Sequence, residues 1–129
     1  MKVNQCELIE PLTCNEDDAV PEVAKLLRKH QQRRIVVTNK EQVPIGIIST
    51  TDMNNKVVAE NKEAEKLIAK DIMTSPIHIV CDINDKVSEI FNKMKEKNCY
   101  YCPVTKHDKV YGILTYGEVV RATQQLYNG

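Results

Sequence analysis

The chain repeats itself, and that limits the folds open to it more than any other feature. Shifted by 67 residues, positions 14–38 lie on 81–105 with six identities in 25 positions, at Cys14/Cys81, Asp18/Asp85, Val20/Val87, Glu22/Glu89, Val37/Val104 and Thr38/Thr105. One residue is then lost from the second copy. At a shift of 66, Gly46-Ile47-Ile48-Ser49-Thr50-Thr51-Asp52 faces Gly112-Ile113-Leu114-Thr115-Tyr116-Gly117-Glu118. A chain of 129 residues has room for one ordinary core and not for two large independent domains. The fold must therefore be two copies of one small unit.

Periodicity predicts the same elements in each copy. Val20, Val23, Ala24 and Leu27 recur at helical spacing, as do Val87, Ile90, Phe91 and Met94. Asp17 or Asp18 is expected to cap the first of these helices. Ile35-Val36-Val37 and Cys102-Pro103-Val104 are short apolar runs of the kind that form buried strands. Turns at 40–42 and 106–109 lead into second strands over 45–49 and 111–115, and helical residues return at 51–60 and 117–127. With leading strands near 7–13 and 77–80, each unit is β-α-β-β-α, and the fold class is α+β. The charged stretch 61–70 predicts a linker helix, stopped by Ser75-Pro76. The expected division is a first motif over 1–60, a linker over 61–75 and a second motif over 76–129.

Composition removes several classes of function. Eighteen Lys and Arg balance eighteen Asp and Glu, so no net field draws the chain onto nucleic acid or a membrane. The basic run Arg28-Lys29-His30-Gln31-Gln32-Arg33-Arg34 is short, and its first half suits the C-terminal dipole of a helix. No apolar run approaches the roughly 18 residues of a spanning helix. The start, Met1-Lys2-Val3-Asn4-Gln5, has no apolar signal core, so a soluble, cytoplasmic protein is expected. The five cysteines are expected to be reduced thiols, with Cys14 and Cys81 packing as small residues. Cys99-Tyr100-Tyr101-Cys102 has no second pair of ligands, and positions three apart on a strand face opposite ways, so no metal is expected. Nothing in the chain resembles catalysis: there is no nucleophile elbow, no pair of carboxylates with a base and no phosphate-binding glycine loop.

The motifs at the joints resemble those of the tandem CBS-domain pair, the Bateman module. Asp71-Ile72-Met73-Thr74 is similar to the family's motif before a domain's first strand. Val36-Val37 and Pro103-Val104 follow the first helices, and Gly46-Ile47-Ile48-Ser49-Thr50-Thr51-Asp52 fits the family's strand-to-helix pattern of Gly, two hydrophobics, Thr or Ser, and Asp. The likeness runs from about Glu7 to Tyr127. It departs at Glu118, where Asp is usual, and at the first unit's lead, which lacks a Met-Thr. The resemblance implies two motifs packed as a pseudo-twofold pair around adjoining hairpins, a homodimer of such pairs, and regulation of an unidentified effector protein.

It also implies a ligand: an adenosine compound, AMP or ATP first and S-adenosylmethionine second, in a cleft between motifs. Ser49, Thr51 and Asp52 match the family's phosphate and ribose contacts, as Thr115 and Glu118 do in the second copy. Arg33 stands where family members place a basic side chain on the phosphates, whereas the second copy has Tyr100 and Tyr101. Ile77, His78 and Ile79 match the segment whose backbone faces adenine. In the family a cleft combines one unit's Asp with the other unit's leading strand, so the Asp52 cleft is expected to be complete and the Glu118 cleft weaker or empty.

Elementary chemistry bears on the same joint. A strand ending in Ser or Thr and followed at once by a helix aims a hydroxyl and backbone N–H groups at one spot, where the dipole favours an anion. Asp52, three residues on, can accept from a vicinal diol. The simpler reading is that Ser49 or Thr50 caps the helix and Asp52 complements its dipole. The ligand reading expects Asp52→Ala to weaken binding on the order of tenfold while removing from the fold only a dipole effect of about 0.3–1 kcal/mol. The competing function is a ligand-free interaction module that dimerises and docks onto an enzyme or transporter.

Overall fold

Apolar spacing sets the long helices. In the computed structural model, which describes residues 1–128 with side chains to Gln124, Val20, Val23 and Leu27 form the buried face of one helix and Val87, Ile90 and Met94 that of another. Ala24, expected on the first stripe, is exposed, and Leu26 leans inward in its place. Each helix ends on a left-handed residue, Gln31 or Asn98, at φ 52° and 50°.

In chain order the elements are β1 (Thr13–Asn15), α1 (Val20–His30), β2 (Arg34–Thr38), β3 (Pro44–Ser49), α2 (Thr50–Met53, running into one π turn over Asn54–Val58) and α3 (Ala69–Ile72). The second copy gives β4 (Cys81–Asp82), α4 (Val87–Lys97), β5 (Tyr101–Lys106), β6 (Lys109–Thr115) and α5 (Tyr116–Asn128). Each copy builds a three-stranded sheet in which the first strand runs parallel to the second and the second antiparallel to the third. Both hairpins carry a register shift at the same place, Val37/Thr38 and Val104/Thr105. The mixed α+β class and the β-α-β-β-α order are as expected. Among the described residues no helix is long and apolar enough to cross a membrane.

The chain falls into two compact units, Leu12–Ile77 and Met1–Pro11 with His78–Gly129, where the sequence suggested divisions at 60 and 76. The reason lies in where each leading segment makes its hydrogen bonds. Leu67 O accepts from Val20 N at 3.0 Å and Asp18 O from Ala69 N at 2.8 Å, so the segment before the second copy closes the start of α1. Met1 O accepts from Val87 N and Asp85 O from Val3 N, both at 2.9 Å, and thus the chain's first residues close the start of α4. The match extends further: Thr74 bridges to Ile47 and Ile9 to Ile113. Gly46 and Gly112 are the small residues these crossings require, because an added Cβ would lie 2.5 Å from Met73 Sδ or 2.9 Å from Leu8 Cβ.

These bonds account for three departures. Residues 61–70 do not form a linker helix, since 67 and 68 are held in extended pairing against the start of α1. The leading strands are shorter than expected, reduced to single bridges at Ile9 and Thr74 and to β1 and β4. Asp18 does not cap α1. Its Oδ2 accepts from Asn15 N at 2.9 Å, as Asp85 Oδ2 does from Asp82 N at 2.9 Å, fastening the turn into each helix.

Candidate functional site

β3 ends at Ser49 and α2 begins at the next residue, so the last strand residue is also the helix cap. Ser49 Oγ accepts from Asp52 N at 3.1 Å, and Asp52 Oδ2 accepts in return from Ser49 N at 2.9 Å and from Ser49 Oγ at 3.1 Å, a reciprocal capping box. Thr50 N donates to Arg33 O at 3.0 Å, tying the start of β2 to the same corner. Asp52 is 9% exposed. Its other oxygen, Oδ1, accepts from Thr74 Oγ1 at 3.0 Å and pairs with Lys56 Nζ at 3.0 Å. Burial pushes the Asp52 carboxyl up, but the hydrogen bonds from the Ser49 backbone, Lys56 and Thr74 outweigh it and hold the group below the usual carboxylate range.

Lys56 is the accessible member of this cluster. Its side chain is 40% exposed, and Nζ also donates to Ile72 O at 2.9 Å and Thr74 Oγ1 at 3.3 Å. An open cavity of about 530 Å³, lined by Lys56, Lys62, Leu67, Asp71 and Ile72 among others, lies beside it. Lys56 thus borders both Asp52 and this open space.

The second joint has the same backbone and different chemistry. Glu118 N donates to Thr115 Oγ1 at 3.3 Å, and Tyr116 N to Tyr100 O at 3.2 Å, matching Asp52 N on Ser49 Oγ and Thr50 N on Arg33 O at the first joint. The longer carboxylate, however, does not fold back onto the cap. Arg121 donates from Nε to Oε1 and from Nη2 to Oε2, each at 2.7 Å, and Glu7 N donates to Oε2 at 2.7 Å. The Arg121 hydrogen bonds lower the Glu118 carboxyl against the opposing effect of burial, and the Glu7 N–H adds to them. Aromatic rings fill the corner: Phe91 stacks on Tyr116 with centroids 5.9 Å apart, and Tyr100 meets Tyr116 edge-on at 5.1 Å. The first joint has Ala24, Thr50 and Arg33 at the corresponding positions.

The fold therefore brings Ser49 and Asp52 together, with Thr51 exposed between them in the same first turn and Arg33 exposed at the strand's start. Thr115 and Glu118 meet likewise in their own unit. Ile77 is half-buried at the end of one unit; in the other, Ile79 belongs to the core and His78 is exposed, its carbonyl accepting from Lys97 Nζ at 2.7 Å. Sequence reasoning missed Lys56 and Arg121, although their spacing from the acids, i+4 and i+3 on a helix, was available as a signal. Thr74 was seen only as part of a motif. The contact from Glu7 had no local signal, since it spans 111 residues.

Comparison with known proteins accords with this duplication. A family model described as CBS domain matches residues 7–59 and 69–124. An uncharacterised protein of Methanopyrus kandleri is 29% identical over 116 residues, covering 89% of this chain and 59% of its own length. The mitochondrial CBS domain-containing protein CBSX3 of Arabidopsis thaliana is 27% identical over 114 residues, covering 86% of this chain and 55% of its own. The chain thus spans little more than half the length of these curated relatives. Among solved structures, the CBS domain pair of protein MJ0100 in complex with 5′-methylthioadenosine and S-adenosyl-L-methionine superposes with a TM-score of 0.75 at 25% identity, covering 98% of both chains.

Proposed function

We propose the following for this chain, which belongs to the CBS domain family and carries the motif twice: it is a regulatory protein that binds an adenosine-containing small molecule at the Ser49–Asp52 joint. The observation that carries this reading is the state of Asp52. The carboxylate is held charged and oriented from behind by its cap, and Oδ1 is covered on one side by the ammonium of the half-buried Lys56. A ribose diol can take that ammonium's place, accepting the geometry already set by Ser49 and Thr74. Arg33 and Thr51, exposed nearby on the chain, are the groups for a phosphate. The complex of MJ0100 with two adenosyl compounds supports the ligand class, since adenosine is what AMP, ATP and S-adenosylmethionine share.

Regulation of an effector protein and pairing with a second copy belong to the same proposal. A ligand-free docking role has one observation in its favour, the Glu118 joint, whose carboxylate is clamped and whose corner is filled. A melting-temperature panel separates the two readings. Adenosine, AMP, ATP and S-adenosylmethionine are tested beside guanosine: at least one adenosine compound is expected to raise the midpoint in a saturable manner, and guanosine is not. If none does, the docking role stands in its place.

A further inference from the structure

Four of the five cysteines belong to one core. Cys81 and Cys102 are buried in the unit that contains α4, with Cys6 and Cys99 half-buried against them, while Cys14 is the single cysteine of the other unit. Cys102 Sγ donates to Cys81 Sγ at 3.3 Å. The strands explain the meeting. Cys81 on β4 is in register with Val104 on the parallel β5, and strand alternation puts Cys102 on the same face as Val104. The repeat supplies its own control: Cys14 occupies the position of Cys81, but Cys102 corresponds to Ile35, which is fully buried. One copy thus has the thiol without a partner, and the other has the pair.

We propose that Cys81 and Cys102 form a reversible disulfide that ties β4 to β5 when the protein meets a two-electron oxidant of the peroxide class. Bringing the sulfurs from 3.3 Å to a bonded separation of about 2.05 Å needs a movement of roughly 1.3 Å. β4 is the shorter partner, two residues long, and is held to β5 by two register pairs, by Ile83 N on Thr105 O at 3.0 Å and by Thr105 Oγ1 on Cys81 O at 3.4 Å, so the sulfurs close when this short stretch shifts. One sulfur attacks hydrogen peroxide, becoming a sulfenic acid and releasing one water. The second sulfur then attacks the first, the S–S bond forms, the S–O bond breaks, and hydroxide leaves with the second thiol's proton as another water. Two electrons pass from the dithiol to one peroxide. The contact with Cys81 and burial both favour the protonated thiol at Cys102, which slows its attack on an oxidant while the core is closed. Reaction accordingly passes through opening of β4. A thiol reductant reverses it by exchange.

The test uses the intact native chain. It is incubated with hydrogen peroxide, its remaining thiols are alkylated after unfolding, and it is mapped without reduction. The expected result is a Cys81–Cys102 cross-linked peptide, a mass lower by two hydrogens, Cys14 alkylated, and a melting midpoint that rises and returns with dithiothreitol. Cys102→Val, which mimics the aliphatic side chain of the other copy, is expected to abolish the cross-link. Free thiols at both Cys81 and Cys102 after treatment overturn the proposal. So does a bond from either one to Cys6 or Cys99, or irreversible oxidation without a bridge.

Discussion

Two joints with one backbone differ in what holds their carboxylates. At the first, a short Asp52 is bound by its own cap on one oxygen and by Thr74 and Lys56 on the other. At the second, the extra methylene of Glu118 carries the carboxylate past the cap to a forked guanidinium and a backbone N–H 111 residues away in sequence. Repeated folds allow this divergence because strand, turn and helix are fixed by apolar spacing and backbone bonds, which both copies keep. The acid's length and the cation within its reach, Lys56 or Arg121, then set whether the carboxylate also serves its own cap.

The largest effect separating the joints is on stability. Asp52→Ala leaves Ser49 N, Thr74 Oγ1 and Lys56 without their acceptor and removes half of a capping box, so a loss of about 2 kcal/mol is expected in urea unfolding. The dipole argument from sequence allowed far less. Glu118→Ala is expected to lose less than Asp52→Ala, because Glu118 accepts nothing from its own cap residue and its main partner, Arg121, is a partly exposed cation that water can solvate. Equal losses would mean that the two carboxylates do the same work.

Acid sharpens the contrast. Both carboxyls titrate lower in the folded protein than their ordinary values of 3.8 and 4.5. The unfolded chain therefore takes up the proton first as pH falls. The stabilisation is complete above the ordinary values and is lost as pH drops through the folded ones. Asp52→Asn should flatten unfolding free energy against pH below about 4. In 1 M salt, where the Debye length is about 3 Å, the Glu118 share, which rests chiefly on the Arg121 ion pair, should shrink more than the Asp52 share, which rests in large part on hydrogen bonds from uncharged Ser49 and Thr74.

A smaller effect concerns the leading segments. A Cβ at Gly112 meets Leu8 Cβ and Cδ1 at 2.9 and 3.0 Å, whereas one at Gly46 meets Met73 Sδ and Cγ at 2.5 and 2.9 Å and its Cβ at 3.1 Å. Met yields more readily than a Leu Cβ next to the backbone. Gly112→Ala should thus lower the melting midpoint more than Gly46→Ala, within the roughly 1–3 kcal/mol of an overpacked contact.

The sequence carried the parts that depend on local period. Val20, Val23 and Leu27, the run Ile35-Val36-Val37 and the Ser49-x-x-Asp52 spacing announce helix, strand and cap by themselves. The exchange of leading segments was not legible. Leu67 and Met1 show no periodic signal, and their role is to give a backbone carbonyl to the first N–H of a helix tens of residues away. The same holds for the candidate site. Asp52 and Ser49 follow from spacing, while Thr74 reaches Oδ1 only because its bridge to Ile47 brings it to the end of β3. Asp18 misled for a related reason: Asp suits both a helix cap and a turn, and the turn at Asn15 is nearer.

The central claim is that the two joints are unequal and that the Asp52 joint takes the adenosine ligand. Calorimetric titration of the adenosine compound that gives the largest melting shift, into the native chain and into Asp52→Asn, Glu118→Gln and Lys56→Met, tests it most directly. The account predicts one molecule bound per chain and an affinity on the order of tenfold or more weaker in Asp52→Asn. Glu118→Gln should match the native chain, and Lys56→Met should bind adenosine more tightly, since the ammonium then no longer competes for Oδ1. Binding that survives in Asp52→Asn and disappears in Glu118→Gln would contradict it.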